Sequence, residues 1–246
     1  MARSQPRRPD DATPFWLRPA RSRRRQRPAL SRDEITHAAL ELADCEGLAA
    51  VSMRNIARKL GAGATSLYWY ISSKEDLYEL MADELIGEIE LPTRPSGDWR
   101  ADLRRVAIAT RTTLSRHTWF PQLGIQPGLG PKTKRYALIA SASLMALGVG
   151  RDEWTQVLAA LNNYISGFVY RESAWKRLQS QSGLEDREWS ARLAHLVERT
   201  TETDTELAMQ TASRLGLHDT SSFEFGLEIF LDGIAAWLAR LGKKPE

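Results

Sequence analysis

The chain has 246 residues, 42% of them hydrophobic and 26% charged, which is enough apolar content for a sizeable core in one or two domains. No apolar run approaches the roughly 18 residues of a membrane span. The first residues are Arg, Pro and Ser rather than an apolar signal core, so a cytoplasmic chain with no membrane partner is expected. The net charge of +3 is unevenly placed: residues 1–30 hold nine arginines against Asp10 and Asp11, a net of +7, while the other 25 basic and 29 acidic residues net −4.

Residues 1–30 are rich in Arg and Pro and lack the apolar content to fold alone. They run directly into the first helix, so Arg21, Arg23, Arg24 and Arg25 are placed to follow phosphates or an adjacent minor groove. The alternative is a solvated, disordered leader. Phe15-Trp16-Leu17 is an apolar patch inside it, with no docking point evident from sequence.

Ser31-Arg32-Asp33-Glu34 is a capping box that opens a helix with Ile35, Ala38, Ala39, Leu42 and Ala43 on one stripe and Gly47 beyond its end. Cys45, near that end, has no second cysteine to pair with and reads as a small packed residue. Ser52 caps a second helix with Ile56, Ala57 and Leu60 on one face, and Gly61-Ala62-Gly63 is a tight turn. A short helix then runs from about Ala64 to Tyr70. Its hydroxyls Thr65 and Ser66 come first, followed by Tyr68, Trp69 and Tyr70, with Trp69 expected to pack. Ser73 opens a fourth helix through Leu77, Leu80, Met81, Leu85 and Ile89. This is a helix-turn-helix pattern, whose second helix enters the DNA major groove.

The Gly47-to-Ser52 connection, Ile56-Ala57-x-x-Leu60-Gly61, Leu67-Tyr68-Trp69-Tyr70 and Lys74-x-x-Leu77 carry a likeness. By them the stretch Ser31 to Ile89 resembles the DNA-binding domain of the TetR family of bacterial transcriptional regulators. The resemblance implies that Thr65, Ser66 and Tyr70 face bases, that Tyr68 and Lys74 hold phosphates, and that Arg54 approaches from the preceding helix. The family often has His-Phe where this chain has Tyr70-Ile71, which leaves base preference there open.

Pro92 to Gly97 reads as a linker and a domain boundary, giving an arm over 1–30, a reading domain over 31–91 and a second domain over 98–241. Asp98 caps a helix to Arg116 with Trp99, Leu103, Val106, Ala107, Thr110 and Leu114 at helical spacing. Trp119 to Pro131 is a loop with at most one helical turn. Helices follow over Lys132–Leu147, then from Glu153 with Asp152 as its cap, then near 206–215, and last over Phe223–Leu241. In that last helix Glu224, Glu228, Asp232 and Arg240 form a narrow polar strip. Phe223, Leu227, Phe230, Ile234 and Trp237 form a seam suited to another helix at a shallow angle. One answer is a two-fold interface in which this helix and the long one meet their copies in a four-helix bundle; the other is a core helix within one chain. The fold class is therefore all-α, a three-helix helix-turn-helix DNA-binding domain plus a helical ligand-binding and dimerisation domain.

Asp98-Trp99, Tyr164 to Val169 and Phe225-Gly226-Leu227-Glu228 resemble the second domain of the tetracycline-repressor branch. That likeness implies a homodimeric repressor on double-stranded palindromic operator DNA. In that branch a small molecule fills a cavity in the second domain, shifts the fourth helix and spreads the reading heads, so induction is the implied mechanism. The positions that align with tetracycline-contacting groups are Glu90, Val106, Thr110, Gln122 and Ala142, so the magnesium-binding histidine is missing and magnesium tetracycline is not the expected effector. A pocket of Val106, Thr110, Trp119, Phe120, Gln122, Tyr136, Asn163 and Phe168 favours an aromatic, mostly apolar molecule. No cofactor, metal or catalytic residue is expected: His37, His117, His195 and His218 lack ligand spacing, and there is no GxSxG, HExxH or P-loop. A small-molecule enzyme and an architectural DNA binder without a ligand remain as the other classes.

Overall fold

The computed structural model describes residues 15–17, 30–124, 128–185, 187–189, 191–192, 195 and 220–242. The arginines Arg21, Arg23, Arg24 and Arg25 and the helix expected near 206–215 lie outside the described residues. Every regular element among the described residues is helical, and none of these helices is long and apolar enough to cross a membrane. The helices are α1 Arg32–Glu46, α2 Met53–Lys59, α3 Ala64–Leu67, α4 Lys74–Gly87, α5 Trp99–Arg116, α6 Pro131–Ala146, α7 Arg151–Ser182 and α8 Thr220–Arg240. The chain divides into one unit of residues 1–90 with 122–138 and a second of 91–121 with 139–246.

In the first unit, local polar side chains set the helix starts. Ser31 Oγ accepts from the Glu34 amide at 3.1 Å while Glu34 Oε2 accepts from the Ser31 amide at 2.6 Å, which closes the capping box. Ser52 Oγ takes the Asn55 amide and Ser73 Oγ the Asp76 amide, at 3.2 and 3.0 Å. Gly61, with φ of +62°, reverses the chain between α2 and α3. Behind these turns Ile35, Ala39, Val51, Ile56, Leu67, Ile71, Leu77, Met81 and Leu85 are buried as one core, with α1 packed on α2 and α4.

Three expectations need correction here. The reader helix α3 ends at Leu67 rather than Tyr70, and Tyr70 and Ile71 both donate to the Leu67 carbonyl in a tightened last turn. Ile71 must reach the core, where it is fully buried, and the run of aromatics has modest helix propensity. Trp69 does not pack: it is 77% exposed. Cys45 is exposed as well, because it falls on the outer face of α1.

Residues 122–138 join this unit because of Asp83. Its buried carboxylate on α4 accepts from the Thr133 amide (2.9 Å), the Thr133 hydroxyl (2.8 Å) and the Lys132 amide (3.3 Å), capping α6 from outside that helix. Glu84 adds an ion pair to Lys132 at 2.5 Å. The residues expected to lie in the second domain therefore begin α6 on the first unit.

In the second unit Asp98 Oδ1 caps α5 by accepting the Arg100 and Ala101 amides at 2.9 and 3.0 Å. Asp102 takes the Ser96 amide, fastening the preceding linker to the helix. The α7 cap is Gly150 rather than Asp152: the Glu153 carboxylate accepts the Gly150 amide at 2.8 Å, so the reciprocal bond falls two residues earlier. Leu103 and Ala107 of α5, Leu161, Ile165 and Val169 of α7, and Phe223, Leu227, Leu231 and Leu238 of α8 are buried together, with α5 packed on both others.

Candidate nucleic-acid interface and effector region

The surface expected to face DNA is built on α3, the shortest α-helix among the described residues. Leu67 is the buried residue of α3, and Thr65 and Ser66 are exposed on its outer side. Tyr68 and Trp69 continue that exposed surface, Tyr70 is half-buried, and Arg54 and Lys74 are exposed on α2 and α4 of the same unit. Lys74 Nζ lies 5.3 Å from the centre of the Tyr78 ring. Lys59 is committed elsewhere: it pairs with Glu41 at 2.8 Å, which raises the lysine pKa and lowers that of the carboxylate. A surface of hydroxyls, phenols and free-ending cations meets both needs of duplex binding, phosphate attachment and contact with base edges.

A tie that sequence reasoning missed holds this surface. Arg32, the first residue of α1, donates from Nε to the Tyr70 carbonyl at 3.0 Å, and its guanidinium carbon lies 4.9 Å from the Phe15 ring centre. No local pattern announces it, because 38 residues separate Arg32 from Tyr70.

In the second unit an ion-pair network joins α5 to α8. Arg100 Nη2 contacts Glu228 at 2.8 Å and Asp232 at 2.6 Å, and Arg104 contacts Glu228 at 2.6 Å. Hydrogen bonds to Glu228 and then Asp232 hold the Arg100 guanidinium above its ordinary pKa. Glu228 and Asp232 of the α8 polar strip are thus matched to arginines on the neighbouring α5. Deeper in, Arg111 lies 4.9 Å from both the Phe168 and Phe223 ring centres and 3.4 Å from Glu172, whose carboxylate also accepts from Ser115 at 3.0 Å. Tyr164 donates to the Phe223 carbonyl at 2.7 Å, and burial pushes its phenol pKa up. A Cβ at Gly226 would come within 2.5 Å of that phenol oxygen, so the glycine admits Tyr164 of its own chain.

The structure separates the residues expected around an effector. Val106, Thr110 and Trp119 are buried and Phe120 and Phe168 half-buried in the second unit, while Tyr136 is buried in the first. Gln122 and Asn163 do not line an interior: both are exposed. Asn163 sits two residues past Leu161, hence on the opposite side of α7, and Gln122 turns outward where Leu123 turns in. Val106 also borders a shallow open cleft with Arg94, Asp102, Arg105 and Ile139.

The seam expected for dimerisation is likewise divided. Phe223, Leu227 and Ile234 are buried within the chain, and Phe230 and Trp237 are half-buried. The large apolar residues that α8 leaves exposed are Phe225, at 71%, and Ile229, at 59%. Among the described residues no group of His, Cys, Asp and Glu is arranged to hold a metal ion.

Comparison with known proteins agrees with this arrangement. Residues 35–81 match the family model of bacterial regulatory proteins of the tetR family, and residues 91–238 match that of the tetracyclin repressor-like C-terminal domain. A transcriptional regulator from Saccharopolyspora erythraea is 37% identical over 169 residues, which cover 68% of this chain and 71% of that one. The transcriptional repressor DrrR1 of Streptomyces coeruleorubidus is 29% identical over 92% of this chain and 85% of its own. The crystal structure of Streptomyces coelicolor ActR in complex with actinorhodin shares the fold, with a TM-score of 0.71 at 24% identity over 85% of this chain and 98% of that one. A helix-turn-helix reader at the N-terminus and a repressor-like helical domain behind it make this chain a member of the TetR family of DNA-binding transcriptional regulators.

Proposed function

We propose that the protein is a homodimeric repressor that holds a palindromic operator until an aromatic, mostly apolar small molecule releases it. The observation that carries the reading surface is the exposure of Thr65, Ser66, Tyr68, Trp69 and Lys74 around a helix whose inward residue is Leu67. Thr65, Ser66 and Tyr70 take the bases, Tyr68 and Lys74 the phosphates, and Arg54 supports them from α2. Arg21, Arg23, Arg24 and Arg25 add attraction to the backbone by charge. Protein and operator meet in the cytoplasm.

The second copy is expected on the exposed apolar side of α8, around Phe225 and Ile229, together with Tyr170 of α7, which is 58% exposed. Residues there are unburied by their own chain, and the two-fold pairing sets two readers about 34 Å apart, one turn of duplex. ActR has been solved in complex with actinorhodin and DrrR1 is named a repressor, which supports a repressor that takes a small molecule. The effector residues are Val106, Thr110, Trp119, Phe120 and Phe168 of the second unit; Tyr136, which belongs to the first unit, and the exposed Gln122 and Asn163 leave that set.

The test uses a duplex selected by the protein from a randomised pool. Its preference over unrelated DNA should be on the order of 10³-fold or greater. Lys74→Ala and Tyr68→Ala each lower affinity about tenfold without changing which sequences are preferred, and Lys74→Ala also lowers the salt slope by about one. Planar aromatic compounds should dissociate the complex. Equal binding to all duplexes, or release by hydrophilic compounds alone, would overturn the proposal.

A further inference from the structure

We infer that the leader turn Phe15–Leu17 is an intramolecular clamp that positions the DNA reader through Arg32. This rests on the DNA-reading role of Tyr70 proposed above. The turn is a 3-10 helix lodged on the first unit, with the Phe15 amide donating to Glu79 Oε1 of α4 at 3.4 Å and the Phe15 and Trp16 rings meeting edge to face at 5.0 Å. Phe15 in turn faces the Arg32 guanidinium at 4.9 Å, and Arg32 Nε donates to the Tyr70 carbonyl at 3.0 Å. Four segments are thus linked in series: α4 to the leader through Glu79, the leader to Arg32 at the start of α1, and Arg32 to the turn that ends the reader.

The physical need for this tie comes from the reader's length. A helix of four residues cannot hold itself, and the turn that follows it through Tyr70 gains by being fastened from outside. Arg32 does so at the Tyr70 carbonyl. Arg32 is itself exposed, however, and a solvated arginine samples many rotamers, so its donor is on station only part of the time. The Phe15 ring restricts it, since a guanidinium favours an aromatic face over free rotation in water. The clamp therefore raises operator affinity by preorganising the reader, without itself touching DNA.

The experiment measures binding of the full-length chain to a duplex that the parent protein selects from a randomised pool, as a function of salt. Phe15→Ala should weaken binding two- to fivefold with an unchanged salt slope, because no charge is altered. Phe15→Tyr should restore it. Arg32→Ala should weaken binding about five- to tenfold, and adding Phe15→Ala to Arg32→Ala should cost nothing further. A merely structural role for the turn would instead lower affinity by the same factor in every background. That result, or parental affinity in Phe15→Ala, would overturn the clamp. Failure of the parent to select any duplex would count against DNA reading itself and is scored before the variants are compared.

Discussion

Phe225→Arg is expected to turn the protein into a monomer and to lower operator affinity by on the order of 10²-fold or more. The residue is an aromatic 71% exposed on α8, beside Ile229 at 59%, so its own chain gives neither residue a place in the core. In a two-fold interface it meets the same region of the second copy, and two introduced guanidiniums would face each other across an apolar seam. Loss of a central aromatic anchor typically costs 2 kcal/mol or more; adding an unpaired charge brings the loss to about 3 kcal/mol, or roughly a hundredfold in dimer dissociation. The DNA effect is larger than the site suggests because a monomer loses the second reader's effective concentration, worth about 10² to 10⁴ in avidity. The circular dichroism spectrum should be unchanged, since surface substitutions seldom move stability by more than about 0.5 kcal/mol. Light scattering of the purified variant at micromolar concentration decides it: a mass of two chains would remove this face from the dimer.

The N-terminal caps were legible in the sequence because their partners are close along the chain. Ser31, Ser52, Ser73 and Asp98 each bind an amide two or three residues onward, and a residue type at a spacing is enough to find such a bond. Where two candidates lay within reach of one helix start, the reading slipped: Asp152 resembles a cap, yet Glu153 bonding back to Gly150 sets the start of α7. The α8 face was harder for a different reason. A helix that is apolar nearly all round has more than one stripe at 4 and 3 spacing, and periodicity alone does not say which faces its own chain. Phe223, Leu227, Leu231 and Leu238 face inward, which leaves Phe225 and Ile229 outside.

Contacts between distant segments left no such mark. Asp83 binds the start of α6 some 50 residues on, and Arg100 meets Glu228 across 128 residues. Each of these charges reads from sequence as an ordinary solvated helix residue. The same limit hid the docking point of Phe15-Trp16-Leu17: an apolar patch in a polar leader signals that something covers it, but Glu79 and Arg32 carry no signal of being that cover. Trp69 misled in the opposite direction. An aromatic between two tyrosines was expected to pack, yet the early end of α3 turns it outward to 77% exposure, beside the residues proposed to read DNA.

Glu172→Leu is expected to destabilise the second unit by about 2–3 kcal/mol, because it strands the positive charge of Arg111. The side chains of Arg111 and Glu172 are only 12% and 11% exposed, so water gives little compensation when one is removed. Arg111 would keep the Phe168 and Phe223 rings and a 3.4 Å contact to the Thr220 hydroxyl, which limits the loss to less than that of a fully isolated charge. Ser115 would also lose its 3.0 Å acceptor. In a chain of this size the cost corresponds to a fall in melting temperature of about 5–10 °C. Adding Arg111→Met should recover most of it, since two apolar side chains of similar volume fill the space without an ionic desolvation penalty. The pair joins α5 to α7, and Phe223 brings α8 to the same guanidinium, so the double variant keeps the packing while losing the polar fastening among three helices. If the single and double variants melt at the same temperature, the charge on Arg111 is not what Glu172 compensates, and the aromatic faces alone stabilise that arginine.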